Sequence, residues 1–222
     1  MFFDLQPDGS APDSSGVDAA RAKASARDLY RLAISFVVPR PIALVSTVAA
    51  DGRRNLAPFS FYNWVSANPP VLVVCPALKR DGTAKDTLAN ILETGEFVVA
   101  SVTEDLAERM NRCSAPFPRG VDEFAESGLT PAPAWKVRPP LVSESPVNLE
   151  CRLRQHLSFG DHGGAGQAIF GDVLAIHVED TILSPDGFVD EHKLRAIGRL
   201  GRNSYARTRD RFDLAPPRIE LG

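Results

Sequence analysis

Two long apolar segments, 147–157 and 167–178, constrain the fold of this chain more than any other feature. The glycine-rich stretch 158–166 joins them, so they predict a long β-hairpin. In the second segment apolar residues occupy both faces, with Val173 on one face and Leu174 on the other. A strand with one face in water would alternate apolar and polar residues more cleanly. The pattern therefore predicts a closed barrel whose outside is covered by helices or by a second subunit.

Elsewhere the pattern predicts several further strands and few, short helices. The expected extended segments are 42–48, 56–65, 71–75 and 96–102. The expected helices lie around 29–33, over 87–93 and over 103–110. Residues 114–146 carry many prolines and are expected to be mostly ordered loop. This order disfavours a parallel βαβ sheet and predicts a mainly β fold, a β-barrel with short helices.

Length and composition favour one large domain. The chain has 222 residues, of which 44% are hydrophobic, and this suffices for a single well-buried core. The first residues are rich in Pro, Asp, Ser and Gly, so 1–24 is expected to be a flexible arm. We expect the folded domain over 25–212 and a tail over 213–222.

Charge and cysteine usage exclude several classes of function. A net charge of −3 argues against nucleic acid as a partner, because phosphate backbones require a basic excess. No apolar run approaches the about 18 residues of a membrane span, and no secretory signal is visible. Three widely spaced cysteines, Cys75, Cys113 and Cys151, indicate neither a disulfide framework nor a zinc site. A cytoplasmic protein without a metal is the simplest expectation.

Common nucleotide motifs are missing, but a set of phosphate-compatible residues is present in the N-terminal half. No P-loop occurs, and Gly163–Gly166 lies between two strands instead of opening a helix, so no dinucleotide fingerprint is formed. Hydroxyls and cations near the start of a helix suit a phosphate monoester. Serines and threonines at strand ends and surface cations are also common without any ligand, so this alternative stays open. The phosphate-compatible set is Ser46, Thr47, Ser60, Arg80, Lys85 and Thr87.

Several blocks of the chain, taken in order, carry a family resemblance. They are 39–47 (PRPIALVST), 55–63 (NLAPFSFYN), 85–87 (KDT) and 95–99 (GEFVV), followed by Glu123-Phe124, 145–151 and Gly198–Gly201 with Tyr205. Together they resemble the flavin reductase-like, FMN-binding split-barrel family, which includes flavoredoxin. The resemblance covers about residues 25 to 212. It implies a six-stranded, Greek-key split barrel that forms a homodimer, with FMN in a groove at the dimer interface.

The resemblance also implies roles for individual residues. The phosphate-compatible set above would hold the FMN phosphate. The ribityl chain and ring would contact Ala57, Pro58, Phe59, Phe61 and Asn63, largely through backbone groups. Arg199 or Arg202 would approach the flavin, with Tyr205 near the ring, although a solvated and locally paired surface is the alternative for these arginines. Trp64 is larger than the residue expected there and is interpreted as a packing residue.

The implied chemistry is hydride transfer from NADH or NADPH to the flavin. Because the cofactor carries the reactive centre, no catalytic acid or base is required, and none is predicted. Free flavin, a partner monooxygenase or another protein would accept the electrons. Two alternatives stay open: a non-catalytic FMN electron-transfer protein, and a protein that keeps the barrel without FMN.

Overall fold

The computed structural model describes residues 26–217, so the predicted arm over 1–24 and the end of the tail lie outside the described residues. The strands, in chain order, are β1 (Ala43–Val48), β2 (Arg54–Phe59), β3 (Tyr62–Ala67), β4 (Pro70–Val74), β5 (Glu96–Ser101), β6 (Pro131–Ala132), β7 (Leu141–Val142), β8 (Val147–Ser158), β9 (Gln167–Val178), β10 (Ile197–Arg199) and β11 (Tyr205–Arg207). The helices are α1 (Ala26–Phe36), α2 (Asp86–Thr94), α3 (Ala107–Arg112), α4 (Glu123–Ser127) and α5 (Glu191–Leu194), with 3₁₀ turns at Glu104–Leu106 and Asp180–Ile182.

Seven antiparallel strands form one large sheet in the order β2-β1-β5-β8-β9-β4-β3. Its two edge strands, β2 and β3, are separated in the chain only by Ser60 and Phe61. The edges are therefore held next to each other, and the sheet closes into a barrel without a ladder between them. The predicted mainly β barrel and its long C-terminal hairpin, β8–β9, are confirmed. The sheet has seven strands instead of six, because the predicted extended segment 56–65 divides at Ser60.

The barrel interior is filled by alternate side chains of the strands and by one side of α2. Leu88 and Ile91 of α2 pack against the interior side chains of the barrel. Phe97 of β5 is fully buried, and a Cβ on Gly171 would lie 2.4 Å from its ring. A glycine inside a strand usually weakens it, but here only glycine leaves room for the ring. This close contact fixes β5 against β9 across the barrel.

The outer face of β1, β2 and β5 is buried as well. Leu44 and Leu56 pack there against Met110 of α3 and Phe124 of α4. The expectation that helices cover the outside of the barrel is thus confirmed for this part of the sheet. The segment 114–146 is not only loop, because it contains α4 and the short β6–β7 ladder. No helix within residues 26–217 is long and apolar enough to cross a bilayer.

Candidate functional site

The free edge of β2 is the first component of the candidate site. The backbone N–H of Leu56 points away from β1 and donates to the carboxylate of Glu123 at 3.0 Å. By strand alternation Pro58 also directs its nitrogen away from β1, which is the position where an edge strand tolerates proline. Glu123 is buried, and burial raises the pKa of its carboxyl group above the usual range. The edge beyond Leu56 is thus left without a neighbouring strand.

A buried arginine fixes the corner between β2 and β3. Arg40 donates from Nε to the hydroxyl oxygen of Ser60 at 3.2 Å and from Nη2 to the carbonyl of Leu200 at 3.1 Å. Its Nη1 donates to the carbonyls of Ile34 and Val37 at the end of α1. One guanidinium therefore joins α1, the Ser60 corner and the β10–β11 turn. Because the Ser60 oxygen accepts this bond, its own proton is free to be donated elsewhere.

A cavity of about 160 Å³ opens beside this corner. It lies between the end of β2, α3 and the β10–β11 hairpin. Buried apolar side chains, Ile42 and Met110, form its floor, and Tyr205 forms one wall. The lining residues are Ile42, Pro58, Phe59, Ser60, Met110, Asn111, Ser114, Arg199 and Tyr205. Four of the predicted site residues, Pro58, Phe59, Ser60 and Tyr205, thus meet at one cavity.

The cavity carries positive charge. The guanidinium of Arg199 lies 4.5 Å from the centroid of the Tyr205 ring and donates to the carbonyl of Arg202. Arg40 and Arg199 are neighbours through an antiparallel bridge, with backbone hydrogen bonds of 2.9 and 2.8 Å. In the described part of the chain neither guanidinium contacts a carboxylate, and no acidic residue lines the cavity. The arrangement favours a ligand that is negatively charged or gains negative charge.

A second cationic group lies near Phe59. The Lys85 ammonium is 5.4 Å from the centroid of the Phe59 ring, just before the start of α2. Burial, and to a smaller extent Lys79, lowers the pKa of Lys85. Among residues 26–217 Lys85 forms no ion pair. A half-buried cation without a counter-ion is a suitable partner for a phosphate group.

The hydroxyls of two predicted site residues belong to a buried network. Asn55 donates from Nδ2 to the hydroxyls of Thr47 and Thr87, at 3.2 and 2.9 Å. Asn90 of α2 donates to the same Thr47 oxygen at 3.0 Å. These four side chains are all buried, and they tie α2 to β1 and β2. The network therefore fixes the start of α2, and with it the preceding residue Lys85, against β1 and β2.

The other predicted site residues lie outside both the cavity and the Thr47–Asn55 network. Ser46 is fully buried on the strand face opposite Thr47, and its hydroxyl has no hydrogen-bond partner among the described residues. Ala57 packs against the barrel interior, and Phe61 lies 5.9 Å from the Arg40 guanidinium. The remaining three, Asn63, Arg80 and Arg202, are exposed, and none of them lines the cavity. Their proposed contacts with a cofactor stay predictions.

Sequence reasoning missed the residues that support the site. Arg40, Asn55 and Glu123 were noticed only as parts of the family blocks, and Asn90 and Asn111 were not singled out. Each acts on a partner distant in sequence, as Glu123 does on Leu56, 67 residues away. A buried polar side chain needs a hydrogen-bond partner. A polar or charged residue inside an otherwise apolar segment was therefore the available sequence signal for these supporting residues. No group of three His, Cys, Asp or Glu residues suited to a metal occurs within 26–217.

Comparison with known proteins gives the class of this protein. Residues 35–197 match the family described as flavin reductase like domain, so the chain belongs to that family. The predicted resemblance is thereby confirmed, and the barrel is a flavin reductase-like split barrel.

Individual relatives agree with this assignment. The chain is 44% identical, over 179 residues, to an uncharacterized protein from Aquifex aeolicus, covering 81% of this chain and 89% of that one. It is 30% identical over 154 residues to a flavin reductase (NADH) of Kitasatospora aureofaciens, covering 69% of this chain and 74% of that one. The fold matches nitrilotriacetate monooxygenase component B from Bacillus cereus with a TM-score of 0.82 and 30% identity, over 91% of this chain and 100% of the other.

Proposed function

We propose that this protein binds FMN and reduces it with NADH or NADPH, acting as a flavin reductase. The observation that carries the proposal is the meeting of Pro58, Phe59, Ser60 and Tyr205 at a cationic cavity, with the Lys85 ammonium 5.4 Å from the centroid of the Phe59 ring. Membership of the flavin reductase family supports it, as does the similarity to a protein named flavin reductase (NADH).

The charge and shape of the candidate site suit FMN, which carries a phosphate group and an electron-accepting ring. The Lys85 ammonium, which has no counter-ion in the described part of the chain, would bind the phosphate, and the ring would lie in the cavity between Pro58 and Tyr205. When bound, the flavin supplies the hydride-accepting atom, so the protein needs no acid or base of its own. The chain's task is to bind and orient the two reactants.

Polar groups around the cavity have defined roles in this proposal. The Ser60 hydroxyl, oriented by Arg40, is free to donate a hydrogen bond into the cavity. The charges of Arg40 and Arg199 would stabilise negative charge that develops there, because fixed cations in a water-poor site interact strongly with such charge. Tyr205 and its neighbour Arg199 would cover one side of the cavity.

The site is proposed to be completed by a second copy of the chain. The cavity of about 160 Å³ is smaller than the roughly 300 Å³ lower bound of typical ligand sites. Large apolar side chains are also exposed on α1, β3 and β9, among them Phe36, Val65 and Ile176. Such exposed apolar surface is typical of protein interfaces. Contacts from a partner subunit would enlarge the cavity walls and cover this surface.

The oligomeric state tests whether a second subunit completes the site. In light scattering after size exclusion, Val65→Asp and Ile176→Asp are expected to convert a dimer into a folded monomer with weaker FMN binding. Phe188→Asp, which changes an even more exposed apolar side chain in the turn before α5, serves as the control. A monomeric natural protein that binds FMN normally would contradict the shared site.

An absorption spectrum tests the function directly. Purified protein incubated with FMN and desalted is expected to keep flavin bands, and anaerobic NADH or NADPH is expected to bleach them. Steady-state oxidation of either nucleotide with added FMN should exceed the rate without protein. A folded protein that takes up no FMN would overturn the proposal, whereas bound flavin reduced only by a protein donor would indicate an electron-transfer module. The similarity to a monooxygenase component supports a monooxygenase as the acceptor.

A further inference from the structure

The β10–β11 hairpin connects the candidate flavin cavity to a second, larger cavity. At its turn, Arg199 and Tyr205 line the first cavity. At its opposite end, Arg195 and Thr208 line a cavity of about 350 Å³ together with Glu191, His192, Arg209 and Arg211. This volume is within the range of small-molecule sites. Arg199 lies four positions after Arg195, which corresponds to roughly 13 Å of extended chain.

Arginine side chains converge at this second cavity. Glu104, at the start of a 3₁₀ turn, accepts hydrogen bonds from Arg195, Arg207 and Arg209 at 3.4, 3.1 and 2.6 Å. Arg195 also contacts Asp105, and Arg211 contacts Glu191. Four guanidiniums thus share three carboxylates, which leaves positive charge in excess.

Some N–H donors of these arginines also remain without a hydrogen-bond acceptor among the described residues. The Nε of Arg195 is buried and has no hydrogen-bond partner within the described residues. Arg209 is bidentate to Glu104, and the Arg211 guanidinium contacts its carboxylate through Nη1. Guanidiniums with spare donors bind phosphate groups through paired hydrogen bonds. The cavity is therefore suited to a phosphorylated ligand.

We propose that this second cavity binds the phosphorylated adenosine end of the nicotinamide dinucleotide that donates the hydride. The inference rests on the proposed function, which requires the nicotinamide to reach the first cavity. A dinucleotide lying along β10–β11 would then extend its phosphates towards Arg195, Arg209 and Arg211. An additional phosphate on the adenosine ribose would gain further contacts, so NADPH is expected to be preferred over NADH.

Two ligands separate the adenosine end from the nicotinamide end. Adenosine 2′,5′-bisphosphate carries only the former, and reduced nicotinamide mononucleotide carries only the latter. Calorimetric titration of the full-length protein with the bisphosphate is expected to show saturable binding. Arg209→Gln and Arg211→Gln should each weaken this binding about tenfold and raise the KM for NADPH by a similar factor. The KM for the reduced mononucleotide and kcat should stay unchanged in both variants.

The controls make the outcomes distinguishable. Arg138→Gln removes a surface guanidinium that pairs with Glu96, away from the hairpin, and should leave every value unchanged. Thermal unfolding of each variant verifies folding. Substitution of Arg211 is milder than that of Arg209, because within residues 26–217 the Arg211 guanidinium makes a single hydrogen bond, to Glu191. Absence of bisphosphate binding, or equal effects on NADPH and the mononucleotide, would overturn the inference. If neither donor is oxidised, the proposed function fails, while the calorimetric titration still decides whether the cavity binds the adenosine bisphosphate.

Discussion

Arg40 donates a hydrogen bond from Nε to the hydroxyl oxygen of Ser60 at 3.2 Å, and this contact sets the corner at which the barrel closes. The same guanidinium donates three further hydrogen bonds, to carbonyl groups at the end of α1 and to one in the β10–β11 turn. It therefore connects the segment before β1, the end of β2 and the wall that contains Tyr205. Arg40 thus links three segments that surround the candidate flavin cavity.

Arg40→Lys is expected to lower the free energy of unfolding by about 2–3 kcal/mol, because an ammonium cannot reach four acceptors arranged around a planar fork. Urea unfolding measures this loss. The FMN dissociation constant should rise at the same time, since Ser60 loses its orientation. Arg112→Lys, on the exposed side of α3, should change neither value. Unchanged stability in Arg40→Lys would show that the corner forms without the guanidinium.

Lys85→Met should weaken the binding of FMN about tenfold but leave the binding of riboflavin, which lacks the phosphate, unchanged. The reason is that Lys85 is a half-buried cation beside Phe59 that has no counter-ion within residues 26–217. Stability should not fall, because an unpaired cation that is partly removed from water is replaced by an apolar group. Quenching of flavin fluorescence gives both dissociation constants. Lys136→Met, an exposed lysine, is the control, and equal effects on the two flavins would place the phosphate elsewhere.

Much of the fold was predictable because its signals are local. The β8–β9 hairpin follows from two long apolar segments around a glycine-rich turn, and α2 from apolar spacing that ends at Gly95 in a left-handed conformation. The helix α4 was missed because its five residues are too few to show a period. Division of 56–65 into β2 and β3 was missed because the contact at its corner, from Arg40 to Ser60, comes from outside the segment.

The candidate site was predicted only in part. Alternation places Ser46 and Thr47 on opposite faces of β1, and this was readable from the sequence. By contrast, the network of Thr47 with Asn55 depends on the register of β1 with β2. Register is a property of the assembled sheet. The lysine of the 85–87 block was recognisable, but its half-buried position beside Phe59 was visible only after folding.

Glu123→Gln tests whether the buried, ionised carboxylate that accepts the Leu56 N–H at the edge of β2 destabilises the folded protein. Burial raises the pKa of Glu123 in the folded protein, so its ionisation opposes folding once the pH exceeds the ordinary value of 4.5. The amide oxygen of glutamine still accepts the Leu56 N–H without this penalty. Relative to the natural protein, the variant should gain stability as the pH rises from 4 to 8. Glu126→Gln on the exposed side of α4 should show no such trend, and a parallel pair of stability curves would contradict the assignment.

Glu150→Gln is expected to have the opposite pH dependence. The fully buried Glu150 carboxylate accepts backbone N–H groups of Trp135 and Val137 at 2.9 and 3.1 Å, and His177 Nε2 donates to it at 2.6 Å. Burial alone would raise the pKa of Glu150, but these hydrogen bonds outweigh it and the pKa is lowered.

Stability from a carboxyl group with a lowered pKa is present above its unfolded-state pKa and is lost as the pH falls through the folded-state pKa. At pH 7 the glutamine variant should therefore lose about 2–4 kcal/mol, because one oxygen cannot serve all these donors. The difference from the natural protein should shrink as the pH falls from the ordinary value of 4.5 through the lowered pKa of folded Glu150, where the carboxyl group becomes protonated and resembles the amide. Urea unfolding at several pH values measures this, and a loss that is independent of pH would show that packing, and not the ionised carboxylate, stabilises this part of the sheet.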